Sequence, residues 1–226
     1  MPAANVIQLQ QLLKAKLPQL RLGFQPPGQR QNLWATGISR IDTPLEGGLP
    51  RGALTEIVAS PGSGSALLMA HLLRKAANEQ QIIALIDGAD SFDVIAMEDA
   101  VLARLLWVRC RSADEALKAA DLILRDNNVP LVFLDLAANP ARQLRKIQST
   151  AWFRFQRILE QASTVCVVLT PVTMVSAAPV RITLKPAAFS LDMLERNREE
   201  LLGELKFEIA DARRFHFKEE RLRRIA

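Results

Sequence analysis

The chain has 226 residues, 49% hydrophobic and 23% charged, the balance of one soluble globular domain that can bury its own core without disulfides or metal. Cys110 and Cys166 lie in apolar runs and read as buried free thiols. With only His71 and His216 besides, no metal-ligand spacing exists and neither metal nor cofactor is expected. The net charge of +5 and pI near 9.6 favour anionic partners, while the start lacks an apolar signal core and no run approaches spanning length, so a cytoplasmic protein is expected.

Val6, Leu9, Leu12 and Leu13 form a helical stripe ended by Pro18, and residues 17–33, with Pro26, Pro27 and Gly28, read as a linker. The stripe is expected to dock on the core or on a neighbouring subunit, because it would not stay bare in water. The core is expected over residues 34–211. Ala53–Val58 is a β-prone run, Ala66–Ala77 has helical periodicity, and Ile82–Asp87 is apolar and ends in a carboxylate. Val94–Ala103 looks helical and Leu105–Arg109 extended. Ala113–Arg125 is an amphipathic helix with Ser112 as N-cap and Glu115 three residues on. PLVFLDL (Pro130–Leu136) is a buried strand carrying Asp135, Arg142–Ala162 a long helix, and Thr164–Leu169 another buried strand. Near-continuous apolar strands separated by helices predict an α/β fold with a mostly parallel sheet covered on both faces. Val180–Leu184 and Glu204–Ile209 alternate apolar and polar residues and suit antiparallel strands at one edge, towards the C-terminus.

The most informative stretch is GGLPRGALTEIVASPGSGSALL, Gly47–Leu68. A glycine-rich loop follows a strand and opens a helix, where open α/β sheets hold phosphates. Set against G-x-x-x-x-G-K-[ST], the loop reads Ala59 to Ala66, and of the motif only Gly64 remains. Ser65 stands in the lysine slot and Ala66 in the hydroxyl slot. Ser65 supplies no cation to the β- and γ-phosphates, a charge-assisted bond worth about 1.5–3 kcal/mol. Ala66 cannot hold Mg²⁺, which neutralises the charge moving in phosphoryl transfer. The amides of Gly62, Ser63 and Gly64 can still cradle an anion; the alternative is a plain tight strand–helix turn.

These residues carry a resemblance. Thr36–Leu73 looks like the entry to a RecA-like core, and its wording GGLPRGALTE is similar to the ImuA family, the RecA-related accessory proteins of bacterial SOS mutagenesis cassettes. The likeness runs through IIALIDGADSFD (Ile82–Asp93), Arg111–Leu117, Leu131–Asp135 and Thr164–Pro171, covering residues 34–185. It implies a RecA-like fold, with Asp135 in the Walker B slot. The slot of the water-activating glutamate, counted from Asp87, holds Ala89, with Asp90 next to it; that of the phosphate-sensing glutamine holds Pro171. The connection Pro171–Pro179 is short and carries no basic residue. With lysine, hydroxyl, glutamate and glutamine all replaced, no hydrolysis is expected. The resemblance further implies a role in translesion synthesis after DNA damage, with an inactive Y-family polymerase homologue (ImuB-like) and an error-prone C-family polymerase as partners. DNA, RecA and a second copy of the chain are further candidates.

Two other groups of residues suit partner or DNA contact. Arg142, Arg145, Lys146, Arg154 and Arg157 accompany Trp152 and Phe153, which fall at the margin of the stripe formed by Leu144, Ile147, Ala151, Phe155, Ile158 and Leu159. Basic and aromatic residues together bind single strands or make partner hot spots; a solvated basic face is the plain alternative. In the tail, residues 212–226, Arg213, Arg214, Phe215, Arg221, Arg223 and Arg224 concentrate positive charge. The tail either follows an anionic surface or is a solvated end. His71 reads as structural. Three functions compete at this point: a non-catalytic scaffold of the ImuA kind, a divergent RecA-like ATPase with rebuilt phosphate contacts, and a cell-division inhibitor of the SulA kind.

Overall fold

The computed structural model describes residues 33–186 and 196–211. The N-terminal stripe, its linker and the basic tail, with Arg213, Arg214, Phe215, Arg221, Arg223 and Arg224, lie outside the described residues. In chain order the elements are β1 (Leu33–Trp34), α1 (Ser39–Asp42), β2 (Leu49–Pro50), β3 (Ala53–Ala59), α2 (Ser65–Asn78), β4 (Ile83–Asp87), a 3₁₀ turn (Val94–Ala96) and α3 (Asp99–Leu102). There follow β5 (Leu105–Arg109), α4 (Ala113–Asp126), β6 (Leu131–Asp135), α5 (Ala141–Leu144), α6 (Ser149–Leu159), β7 (Val165–Thr170), β8 (Val180–Leu184), α7 (Arg198–Glu204) and β9 (Phe207–Asp211).

Seven strands form one sheet in the order β5-β4-β6-β7-β3-β8-β9, parallel up to β8, with β9 antiparallel at the edge. The expected mostly parallel α/β sheet is therefore present. Alternate residues of each strand enter opposite cores. Ile83, Leu85, Phe133, Val167 and Ile182 pack with α2, while Ala84, Ile86, Val132, Leu134 and Val168 pack with α4 and α6. Ala113, Ala116 and Ala120 let α4 approach the sheet closely before Leu124 fills its end. Ser112 caps α4 as expected, its hydroxyl accepting from the Glu115 amide at 3.3 Å.

Several expectations need correction. The long helix over Arg142–Ala162 is two pieces. Lys146 and Ile147 donate to carbonyls three residues back, at 3.1 and 3.0 Å, which tightens the turn, and Gln148 is extended before Ser149 restarts the helix. Polar Gln148, Ser149 and Thr150 favour such a start over helix interior. Val94–Ala103 likewise divides, at extended Met97 and Glu98. Val180–Leu184 is not an edge strand: it pairs parallel with β3 and antiparallel with β9. Residues 204–206 precede the last strand, and α7 was not expected at all. Trp152 is only 1% exposed and packs edge-on against Phe155 at 6.1 Å between ring centroids. It belongs to the core, because at three and seven residues before Phe155 and Leu159 it shares the face of α6 that packs on α4 and β3. Phe153, one residue on, is 58% exposed.

Candidate functional site

Connections after β3 and β4 leave towards the α2 face, and those after β6 and β7 towards the α4–α6 face. Where neighbouring strands diverge in this way, a crevice opens beyond their carboxyl ends. The connection after β5 also leaves towards the α4–α6 face, so among the described residues three such places exist, above β3/β7, β4/β6 and β4/β5.

Above β3 lies the loop Ser60–Gly64. Gly62 and Gly64 are left-handed, with φ of 75° and 85°, which favours glycine at both positions. Ser63 is fully buried; its amide donates to the Ser60 carbonyl at 3.1 Å and its hydroxyl has no partner. Ser65 begins α2 and Ala66 is exposed at its first turn. The amides of Gly64, Ser65, Ala66 and Leu67 have no acceptor among the described residues. The expected order of strand, glycine loop and helix is thus formed, with free amides at the helix start.

Above β4/β6, Asp87 and Asp135 are register partners at the two strand ends. Asp87 accepts from the amides of Ser91 (3.0 Å) and Phe92 (2.8 Å) and so folds the following turn onto itself. Asp135 accepts from the Ala137 amide at 2.9 Å. Burial, with the Asp87 charge adding to it against that hydrogen bond, pushes the Asp135 carboxyl up to about 6. Gly88 runs beneath Asn139, whose amide donates to its carbonyl at 2.7 Å. A side chain at Gly88 would collide with Asn139 and approach the Asp135 carbonyl to 2.8 Å. Asp90 does not enter this crevice. It is left-handed and forks onto Arg109 at 2.6 and 2.8 Å, and Arg109 lies over the Trp107 ring. Asp90 and Arg109, with Cys110 and Arg111, line a shallow cleft of about 320 Å³.

The basic residues divide. Arg142, Arg145 and Lys146 are exposed on and just after α5, without a carboxylate in reach among the described residues. Gln143 Oε1 accepts from the Ala113 amide at 3.0 Å, which ties α5 to the start of α4. Arg154 is engaged instead, paired with Asp121 at 3.0 Å. His71 is structural: its Nε2 lies 2.9 Å from the Thr36 carbonyl. Both cysteines are buried and free, and burial pushes the Cys166 thiol up to about 12.

One buried group has no counterpart in the sequence reading. Glu56, in the middle of β3 and fully buried, accepts from the amides of Met174 (2.7 Å) and Val175 (3.0 Å), from Thr170 Oγ1 (3.1 Å), and from Arg181 Nε at 2.5 Å. It pins the connection after β7 to the sheet. The only signal was a single carboxylate in a strand flanked by parallel neighbours, which demands a partner.

The amino-acid sequence that builds this sheet and its loops has relatives among known proteins. The chain is 28% identical to "Protein RecA" of Chlorobium chlorochromatii over 165 residues, covering 66% of this chain and 47% of that protein. The core is RecA-like. It is 31% identical over 122 residues to "Protein RecA" of Chlorobaculum tepidum, covering 53% of the chain and 35% of that protein. With that of Desulfotalea psychrophila it shares 26% over 157 residues, 62% of the chain and 44% of the protein. The chain thus aligns with less than half the length of these relatives. No family model matches it. No described helix is long and apolar enough to cross a membrane.

Proposed function

We propose that this chain is a RecA-like accessory protein of DNA repair that acts by binding rather than by hydrolysis, in the manner of the ImuA family, within SOS-induced translesion synthesis. The observation that carries the reading is the start of α2. Ser65 and Ala66 stand where a working loop needs a lysine and a Mg²⁺-binding hydroxyl. Positioned charge is nearly all that phosphoryl transfer asks of a protein. Ala89 and Pro171 supply no side chain for water activation or phosphate sensing. The purified chain is expected to show no DNA-stimulated ATP turnover, measured as phosphate release with and without single-stranded DNA. Steady turnover abolished by Asp135→Asn would overturn the reading in favour of a divergent ATPase.

The partner surface in this reading is the α5 ridge. Arg142, Arg145 and Lys146 are exposed on and just after α5, at the carboxyl end of the sheet, and have no carboxylate partner among the described residues. Such a group meets a phosphate backbone or an acidic partner surface. An inactive Y-family polymerase homologue and an error-prone C-family polymerase are the protein partners this reading implies. Replacing all three residues by Glu is expected to weaken binding of single-stranded DNA or of the purified polymerase homologue at least tenfold at low salt, with the melting temperature unchanged. Equal binding by variant and parent, in matched titrations at low and moderate salt, would remove the ridge from the interface.

A further inference from the structure

The glycine loop above β3 is covered at one of its two left-handed glycines. Among the described residues, a Cβ built on Gly62 meets nothing within 4 Å, whereas one built on Gly64 would fall within the Leu205 side chain. Leu205 is 5% exposed and lies between α7 and β9, so the chain from Arg198 to Phe207 passes over the loop at the start of α2. That passage is fastened from outside. Exposed Arg40 donates from Nη1 to the carbonyls of Gly203 (2.7 Å) and Leu205 (2.9 Å), and its guanidinium lies 4.9 Å from the centroid of the Phe207 ring. Beside Leu205 the loop keeps features of an anion cradle: among the described residues the amides of Gly64, Ser65, Ala66 and Leu67 have no acceptor, and the buried hydroxyl of Ser63 has no partner.

We propose that residues 198–207 form a strap that keeps this loop closed, with Leu205 as the plug over Gly64 and Arg40 as the latch. A methyl group in van der Waals contact with the glycine Cα excludes the oxygens of an approaching anion and leaves the amides without a ligand. A leucine in that place is also consistent with packing: it completes the core around Leu68 and Leu202 and so fills with apolar atoms a space otherwise suited to a polar ligand. The latch is two hydrogen bonds from one exposed side chain; the strap is held besides by buried Leu202 and Leu205 and by the Lys206 carbonyl, which accepts from the Lys185 amide at 2.7 Å, so opening it means lifting these contacts as well. A partner that takes Arg40, or binds the strap itself, would uncover the loop. This goes beyond the accessory role proposed above and does not depend on it, since the readout is anion binding and not turnover or polymerase binding.

The test is isothermal titration of inorganic pyrophosphate, at low salt, into the full chain and two variants. Leu205→Ala is expected to bind pyrophosphate at least tenfold more tightly than the parent chain. Arg40→Ala, which leaves the core residues in place, is expected to shift affinity in the same direction by less and to speed amide hydrogen exchange across residues 198–207. Equal affinity of parent and Leu205→Ala, including no binding by either, overturns the strap as a plug. If Leu205→Ala does not fold, Arg40→Ala decides: faster exchange with no gain in binding overturns the proposal, and gain in both supports it. Binding elsewhere on the surface, including the α5 ridge, contributes equally to the parent chain and Leu205→Ala and drops out of that comparison; Arg40→Ala removes an exposed cation, so a gain in its affinity is made against the change in charge.

Discussion

Glu56→Ala is expected to lower the stability of the fold by about 3–5 kcal/mol, the range for removing one partner of a buried ion pair. The loss is not that of one bond. Without the carboxylate, Arg181 has no counter-ion among the described residues, and Thr170 Oγ1 and the amides of Met174 and Val175 lose their acceptor in the interior. Arg181 Nη2 also donates to the Val175 carbonyl at 3.3 Å, so the arginine and the connection after β7 loosen together. The smaller Glu56→Gln change keeps an acceptor for the amides and is expected to cost less than half as much. Replacing the pair by Leu and Met is expected to rescue only part of the loss, since the two amides stay orphaned. Urea unfolding of the four proteins measures these differences, and a cost below about 1 kcal/mol for Glu56→Ala would show that water or a rearranged loop replaces the carboxylate. Within the proposed function this matters, because the same carboxylate holds residues 171–179 against the sheet at the crevice above β3/β7.

Asp135→Asn is expected to act in the opposite direction and to stabilise the protein at neutral pH. The carboxyl is pushed up to about 6 from the ordinary aspartate value of 3.8, first by burial and then by the Asp87 charge, with the Ala137 amide opposing. The folded chain therefore holds a proton that the unfolded chain releases between about pH 4 and 6. Below that window both states are protonated and the group contributes nothing. As pH rises through it stability falls, and above it the full penalty of a buried charge is present, about 3 kcal/mol as an order of magnitude. Asparagine keeps an oxygen for the Ala137 amide and carries no charge. Unfolding midpoints at pH 4.5 and 7.5 should thus lie closer together for the variant at this group, and its midpoint at pH 7.5 should exceed that of the parent chain. A variant less stable than the parent at pH 7.5 would mean that the charged form is held by interactions stronger than its burial. A carboxylate kept at such a cost at the end of a central strand is the kind of residue that function retains against stability.

The amino-acid sequence by itself determined the class of fold and most element positions. Apolar runs such as IALID and VCVVL can be buried on both faces only in a parallel sheet, and Ser112 with Glu115 announces the start of a helix locally. It also placed the glycine loop and Asp135, because a strand–loop–helix junction and a strand-ending carboxylate are written in contiguous residues. What it left out depends on contacts distant in the chain. Trp152 went inside because α4 and β3 pack on the face it shares with Phe155 and Leu159, while Phe153, one residue on, stayed out. Glu56 reads as one polar residue in ALTEIVA until β8 brings Arg181 beside it, 125 residues away. Leu205 and Gly64 have no local reason to meet. Only the antiparallel return of β9 beside β8, with Arg40 fastening the segment before it, sets that leucine over the loop. Local pattern fixes what each segment is, since periodicity and capping act over a few residues; which side chain covers which site is decided by strand order, because packing energy is realised only once remote segments are in register.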